Sequence, residues 1–217
     1  MMLAKTIEDA GQDPTGWFMS EKLDGVRCYW NGSTMYTRNG KLFYPPEWFK
    51  KLLPKDLALD GELWTKRDDF QRAVSIVRRQ DQNDDWKEIT YMVYDAPLLK
   101  QKFTDRLKII EKTLAAVGSK HIQFHKQEKC TSQKHLDTEM DRVLAQKGEG
   151  LMIKDPDSLY EGKRSNMLLK VKKFEDAEAT VIGHQKGTGR CYNMCGAIEC
   201  RGDNGIEFKI GSGFDDS

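Results

Sequence analysis

The chain has 217 residues, a net charge of +1, and 38% hydrophobic and 32% charged residues. This length suffices for one or two domains with a buried core. No apolar run approaches the roughly 18 residues of a membrane-spanning helix, and the first residues lack the apolar stretch of a secretory signal. We therefore expect an intracellular protein, in the cytoplasm or, if eukaryotic, the nucleus, with no membrane partner.

The five cysteines are odd in number and follow no framework pattern, which predicts reduced thiols. Because the net charge is so small, nucleic-acid binding would require a local basic patch. Such a patch occurs late in the chain, at Lys163, Arg164, Lys170, Lys172 and Lys173.

The first predicted elements are strands. Residues 17–19 form a strand that leads toward Lys22. Residues 26–30 and 34–37 are β-favouring runs, and Asn31-Gly32 between them is a hairpin signal. Pro45-Pro46 then opens a short helix, after which residues 57–59 and 89–94 are strand-like.

Two longer helices follow. A stripe of apolar residues predicts a helix from about Asp105 to Val117, with Thr104 as its cap and Gly118 at its end. A second stripe, from Leu136 to Leu144, predicts another helix. Strands follow at residues 151–154 and 167–171. The pattern predicts an α+β fold with antiparallel sheets.

A second unit begins near Phe174. Its three β-like segments, at residues 179–184, 197–200 and 206–210, are too few to close a barrel. We expect a first domain over residues 1–172 and, over residues 173–217, the start of a β-barrel domain that is cut short.

Charged residues recur on these strands as an ordered series of short motifs. The first is Lys22-Leu-Asp24-Gly-Val-Arg27, an Asp-Gly turn beside a lysine. The later motifs are Asp60-Gly61-Glu62, Tyr91-Met-Val-Tyr94-Asp95, Glu149-Gly-Leu-Met-Ile-Lys154 and Leu168-Leu-Lys170-Val-Lys172. Their succession predicts one pocket for a nucleotide and a covalent lysine.

A lysine attacks phosphorus only as the neutral amine, and an ordinary lysine is protonated near pH 7 because its pKa is about 10.4. A nucleophilic lysine therefore needs burial or neighbouring cations. We expect Lys170 and Lys172 to provide those cations beside Lys22 and to hold the α-phosphate of a triphosphate. Asp24 is predicted to shape the turn and orient Lys22.

The other motif residues suit the remainder of a nucleotide. Glu62 and Glu149 are candidate ligands for Mg²⁺, which prefers one or two carboxylates together with water and phosphate oxygens. Arg27 and Glu62 suit hydrogen bonds to ribose hydroxyls. Tyr94 offers a flat face on which a purine could stack, and Glu21 is a candidate contact for the adenine amino group.

The ordered set resembles the covalent nucleotidyltransferases, and most closely the small ATP-dependent DNA ligases of bacteria and viruses. The resemblance runs from about Trp17 to Gly213, and five or six motifs in the right order are highly specific. It includes Thr37-Arg38-Asn39-Gly40, which is similar to that family's additional arginine motif. Residues 208–214 resemble part of its oligonucleotide-binding barrel.

The resemblance implies ATP and Mg²⁺ or Mn²⁺ as cofactors, and a monomer that seals nicked duplex DNA in repair or replication. It also implies that Lys22 becomes linked to AMP and that Arg38 faces the nicked strand. It implies ribose contacts for Arg27 and Glu62, a metal at Glu149, adenine stacking on Tyr94, and α-phosphate contacts for Lys170 and Lys172. Lys173 is a further candidate for DNA contact, and Lys154 is a candidate either for DNA contact or for supporting the residues of the site from behind.

The sequence departs from the family pattern at its end, where a complete member carries a further basic motif that orients pyrophosphate. We therefore keep three alternatives open. They are an RNA ligase, an mRNA-capping guanylyltransferase, and a truncated module that binds nucleotide or DNA without sealing.

Overall fold

The computed structural model describes residues 1–81, 83–172 and 178–211. The chain divides into two compact units, Met1–Lys172 and Lys173–Ser217. In chain order the elements of the first unit are β1 (Leu3–Thr6), α1 (Ile7–Ala10), β2 (Phe18–Glu21), β3 (Val26–Trp30), β4 (Met35–Thr37), α2 (Glu47–Lys50), β5 (Leu59–Trp64), α3 (Phe70–Val77), β6 (Thr90–Asp95), α4 (Phe103–Val117), β7 (Ile122–Phe124), β8 (Glu128–Lys129), α5 (Gln133–Ala145), β9 (Leu151–Lys154) and β10 (Arg164–Val171).

These strands form two five-stranded sheets. The strand order is β1-β10-β9-β2-β8 in the first sheet and β4-β3-β5-β6-β7 in the second. The α+β prediction is confirmed, but the expectation of antiparallel sheets is wrong in two places. Strand β6 pairs with β7 in parallel, because the helix α4 connects them as a crossover. Strand β1 pairs in parallel with β10, which comes from the other end of the unit.

Each sheet has its own apolar core. Behind the first sheet, α5 packs Leu136 and Val143 against buried side chains of β2, β9 and β10. Behind the second sheet lies a larger core that includes Phe49, Trp86 and Ile110. Since side chains alternate along a strand, the opposite faces of the central strands are left for polar residues.

The local sequence signals placed most elements correctly. The hairpin at Asn31-Gly32 joins β3 to β4, and α4 ends at Gly118, which has a φ of 62°. The start of α4 differs from the prediction, because the helix begins at Phe103 rather than near Asp105. Thr104 does not cap it, because its backbone N–H and its hydroxyl both donate to the carbonyl of Pro156.

The second unit contains β11 (Ala179–Lys186), β12 (Cys195–Gly202) and β13 (Glu207–Ile210). They form one antiparallel sheet in that order. Within the described part of this unit the three strands do not close a barrel. No helix in residues 1–81, 83–172 or 178–211 is long and apolar enough to cross a bilayer.

Candidate active site

Lys22 and Glu149 meet because β2 and β9 pair in antiparallel register. The backbone N–H of Lys22 donates to the carbonyl of Gly150 at 2.8 Å. Gly150 has a φ of 151°, and a side chain there would overlap the carbonyl oxygen of Val171. The strand register therefore places the residue after β2 beside the residue that precedes Gly150.

Lys22, Glu149 and Lys172 form one charged group, called here the lysine cluster. The Nζ atom of Lys22 lies 2.5 Å from Oε2 of Glu149, and the ammonium of Lys172 donates to the other oxygen of the same carboxylate. Burial acts to raise the pKa of Glu149, but the hydrogen bonds from Lys172 and Lys22 outweigh it and lower that pKa. Glu149 is thus a carboxylate at neutral pH.

The cluster differs from the sequence expectation in one respect. We expected cations to be the nearest charges to Lys22, yet its direct partner is an anion. If Lys22 is the nucleophile that the sequence predicts, its contact with Glu149 has to loosen before Nζ can reach a phosphorus atom.

Side-chain alternation brings Lys170 on β10, and Lys172 just after the end of that strand, to the same side of the chain. Lys170 pairs with Met152 on β9, and both residues line a cavity of about 370 Å³. Leu169 between them and Ile153 on β9 point the other way into the core. The volume lies in the range of small-molecule sites.

Both sheets of the first unit line this cavity. The sequence-predicted residues along it are Glu21, Lys22, Arg27, Arg38, Glu62, Tyr94, Lys154 and Lys170. The structure thus brings most of the predicted site together around one space.

Strands β3, β5 and β6 supply Arg27, Glu62 and Tyr94 to this space. Arg27 lies opposite Glu62 in the β3–β5 ladder, and Glu62 lies opposite Met92, two residues before Tyr94. Residues opposite each other, or two apart on one strand, share a face of the sheet. The Arg27 guanidinium lies 5.8 Å from the centre of the Tyr94 ring.

The charge state of Glu62 differs from that of Glu149. Burial raises the pKa of Glu62 to about 8, although Arg27 and Lys22 oppose the rise. The hydroxyl of Tyr94 donates weakly to Glu62 at 3.4 Å. At neutral pH Glu62 is therefore largely a neutral acid, which suits hydrogen bonding to a hydroxyl better than binding a metal ion.

Lys154 does not fit the predicted DNA contact. Its side chain is only 8% exposed, and its ammonium donates to the buried carboxylate of Asp95. The same carboxylate also accepts two hydrogen bonds from Arg106, at 2.7 and 3.0 Å. Lys154 is thus held in a buried ion-pair network that joins β9 to β6 and α4, where a DNA backbone cannot reach it.

Arg38 and Asp24 are two further predicted residues that the structure describes. Arg38 follows β4 and lines the cavity. Burial, and secondarily the charge of Glu149, raises the pKa of Asp24 in the turn after Lys22. Lys173 lies outside the residues that the structure describes.

Comparison with known proteins identifies the family. Residues 1–172 match the model of the ATP dependent DNA ligase domain, and residues 186–217 match that of the DNA ligase OB-like domain. The chain belongs to the ATP-dependent DNA ligases. Over 214 residues it is 38% identical to a DNA ligase of Haemophilus influenzae, an alignment that spans 99% of this chain and 78% of that protein.

Solved ligase structures share the fold. A structure from work on DNA binding by the minimal scaffold of Lig E DNA ligases superposes with a TM-score of 0.93 at 34% identity, covering 99% of this chain and 84% of that one. Chlorella virus DNA ligase-adenylate superposes with a TM-score of 0.68 at 26% identity, covering 99% and 82%.

The residues of this ligase can coordinate a metal ion only together with oxygen atoms of the substrate. In the described residues, no three histidine, cysteine, aspartate or glutamate side chains gather to hold a metal ion by themselves. Glu149 is a carboxylate in contact with Lys22, which lines the cavity, and Mg²⁺ commonly uses one or two carboxylates together with phosphate oxygens and water. The donor set thus fits a metal that arrives with the triphosphate.

Sequence reasoning missed several polar residues around the ligase cavity. Nε2 of His125 lies 2.8 Å from the carbonyl oxygen of Glu21, the residue before Lys22. Arg67 forms a two-point ion pair with the Glu21 carboxylate, with both distances 2.7 Å. Tyr160 contacts Asp60. His125, Arg67 and Tyr160 lie in no predicted motif. The tertiary fold brings His125 and Tyr160 to the cavity wall and Arg67 to the carboxylate of Glu21.

Proposed function

We propose that this chain seals nicks with a 3′-hydroxyl and a 5′-phosphate in duplex DNA, using ATP and a divalent metal. The observation that carries this proposal is the lysine cluster, whose Lys22 lines a cavity that also presents Arg27, Glu62 and Tyr94. A nucleotide held by the latter three residues would have its α-phosphate within reach of Lys22.

In the first step, the Nζ atom of Lys22 attacks the α-phosphorus of ATP. A nitrogen–phosphorus bond forms, the bond from the α-phosphorus to the bridging oxygen breaks so that pyrophosphate leaves, and the nitrogen gives up one proton to water. Lys170 and Lys172 lie on the same side of the chain and would offset charge on the phosphate oxygens, because preorganised cations are effective in a site shielded from water. Asp24 would orient the turn that presents Lys22.

The second and third steps use the DNA. An oxygen of the 5′-phosphate attacks the phosphorus of the lysine-linked AMP, and the bond between that phosphorus and Nζ of Lys22 breaks. The 3′-hydroxyl then attacks the 5′-phosphate, and AMP leaves. Arg38 would hold the 5′-phosphate, and the remaining grip on DNA should come from phosphate contacts, hence be sensitive to salt and largely indifferent to sequence.

A divalent cation would be held by Glu149 together with phosphate oxygens, with Glu62 as the weaker candidate because its carboxyl is largely protonated. When bound, such an ion would offset charge on the triphosphate and compete with Lys22 for the Glu149 carboxylate. Tyr94 would stack on adenine, and Arg27 and Glu62 would contact the ribose.

Glu21 is a weaker candidate for adenine contact through its side chain, because Arg67 already engages both carboxylate oxygens. We propose residues 1–172 as the adenylation domain and residues 173–217 as part of the oligonucleotide-binding domain. We further propose that the protein acts as a monomer, which light scattering would test.

The test is a sealing assay with matched substrates. We expect the chain, given ATP and Mg²⁺, to join a labelled 5′-phosphate strand across a DNA nick but not an RNA nick. GTP in place of ATP should give little adduct. Sealing of RNA alone would indicate an RNA ligase, and a GMP adduct a capping enzyme. A chain that neither forms an adduct nor joins a pre-adenylylated DNA nick would contradict the proposal.

A further inference from the structure

Tyr160 lies in the connection between β9 and β10, outside every sequence motif described above. Its hydroxyl donates to Oδ2 of Asp60 at 2.6 Å. Asp60 is fully buried, and Arg27 donates to both of its oxygens, at 3.1 Å through Nε and 2.7 Å through Nη2. The Tyr160 hydroxyl and the Arg27 guanidinium therefore share one carboxylate oxygen.

We propose that Tyr160 is a positioning residue which, through Asp60, fixes the Arg27 guanidinium and so sets how strongly the ligase selects for the hydroxyls of the nucleotide ribose. The proposal rests on the proposed function, in which Arg27 contacts the ribose. Tyr160 itself need not touch the nucleotide.

The surroundings of Tyr160 hold its hydroxyl in place. Its oxygen accepts the backbone N–H of Met2 at 2.9 Å, and the Lys154 ammonium lies 5.5 Å from the centre of its ring. Burial and the nearby Asp60 charge raise the pKa of Tyr160, so that the hydroxyl stays a donor at neutral pH. In the hydrogen bond between Tyr160 and Asp60, the hydroxyl is therefore always the donor, and its position is restrained.

The shared carboxylate explains why this bond affects Arg27. The N–H donors of a guanidinium lie in one fixed plane. Because Arg27 binds both oxygens of Asp60, a rotation of that carboxylate turns the whole guanidinium with it. With Tyr160 in place, Oδ2 of Asp60 is held from two sides. Without the Tyr160 hydroxyl, Arg27 is the one remaining hydrogen-bond donor to Oδ2 of Asp60 among the described residues. The Asp60 carboxylate and the Arg27 guanidinium can then tilt together within the cavity.

A purely structural role is the competing explanation, because Tyr160 also ties the start of β1 to this network through Met2. The two roles differ in what they change. Loss of a structural tie lowers stability and affects all nucleotides alike, whereas loss of positioning changes the preference between nucleotides that differ only at the ribose.

The experiment measures kcat/KM for lysine adenylylation with ATP, 2′-deoxy-ATP and 3′-deoxy-ATP. We expect Tyr160→Phe to reduce the preference for ATP over at least one deoxy analogue by about three- to tenfold, the range for one hydrogen bond. The matched control is Tyr44→Phe, which removes a hydroxyl from an exposed tyrosine of the same unit and should leave the preference unchanged. In an Arg27→Ala background, Tyr160→Phe should have no further effect on this preference.

An unchanged preference in Tyr160→Phe, or an equal loss in the Arg27→Ala background, would overturn the inference. Equilibrium binding of ATP and both analogues gives a second readout that needs no chemistry. If the wild-type chain forms no adduct, the proposed function fails, while the ratio of dissociation constants still tests the role of Tyr160.

Discussion

Lys22 and Glu149 are 127 positions apart in the chain, yet Nζ of one lies 2.5 Å from Oε2 of the other. Pairing of β2 with β9 produces this contact, and Lys172 completes it from the end of β10. The resting protein thus holds its proposed nucleophile as half of an ion pair. Glu149 therefore has two proposed tasks, to restrain Lys22 at rest and to bind a metal with the nucleotide.

Glu149→Gln tests the second task. The amide keeps the size of the side chain but loses the charge that a divalent ion requires, so we expect the rate of lysine adenylylation at saturating Mg²⁺ to fall by about 10²- to 10³-fold. Rapid-quench measurement of the AMP adduct gives the rate. Glu111→Gln, on the exposed side of α4, is the control. Equal rates in the wild type and in Glu149→Gln would remove Glu149 from the chemistry.

Glu62 provides a contrast with Glu149, because its pKa of about 8 makes it largely a neutral acid at pH 7. Glutamine resembles that neutral form, so Glu62→Gln should stay within about threefold of the wild-type kcat/KM at pH 7, whereas Glu62→Ala should lose about 10- to 100-fold. Above pH 8 the wild-type side chain becomes a carboxylate, and the two proteins should diverge. A severe defect of Glu62→Gln at pH 7 would instead support a metal ligand.

His125 predicts a pH dependence of folding stability. Burial lowers the pKa of its ring in the folded protein below the ordinary value of 6.5. The unfolded chain therefore binds a proton that the folded chain does not, once the pH falls below that value. The free energy of unfolding should be maintained above about pH 6.5 and decline as the pH falls through the lowered folded pKa.

Urea denaturation between pH 5.5 and 8 measures this effect. His125→Gln should show a flatter profile than the wild type over that interval, because the variant lacks the titrating ring. His184→Gln, which alters an exposed histidine on β11, should keep the wild-type profile. Parallel profiles for the wild type and His125→Gln would show that His125 does not cause the decline.

The sequence predicted the parts of this protein that depend on local chemistry. Asn31-Gly32 indicated a hairpin because few residues adopt the backbone of such a turn, and Gly118 indicated a helix end for the same reason. Many of the residues that line the cavity could also be identified from the sequence as candidate site residues, since charged side chains on apolar strands are unusual. The parallel pairing of β1 with β10 had no such signal, because it depends on residues about 160 positions apart.

The charge relationships within the site were harder to predict. From the sequence, Lys154 is a candidate either for DNA contact or for supporting the site, and only the structure shows that it pairs with a buried Asp95, which Arg106 also contacts. His125 lies in no sequence motif, yet its Nε2 is 2.8 Å from the carbonyl oxygen of Glu21, the residue before Lys22. In each case the partner comes from a distant segment, so that only the assembled sheets determine whether a charge is paired, buried or available.

The mass of the intact protein after incubation with ATP and Mg²⁺, followed by peptide mapping, tests the role of Lys22 most directly. We predict a gain of one adenylyl group on the peptide that contains Lys22, absent from Lys22→Ala and retained in Lys100→Ala, which changes an exposed lysine. An adenylyl group on any other residue, or its persistence in Lys22→Ala, would contradict the assignment of Lys22 as the nucleophile.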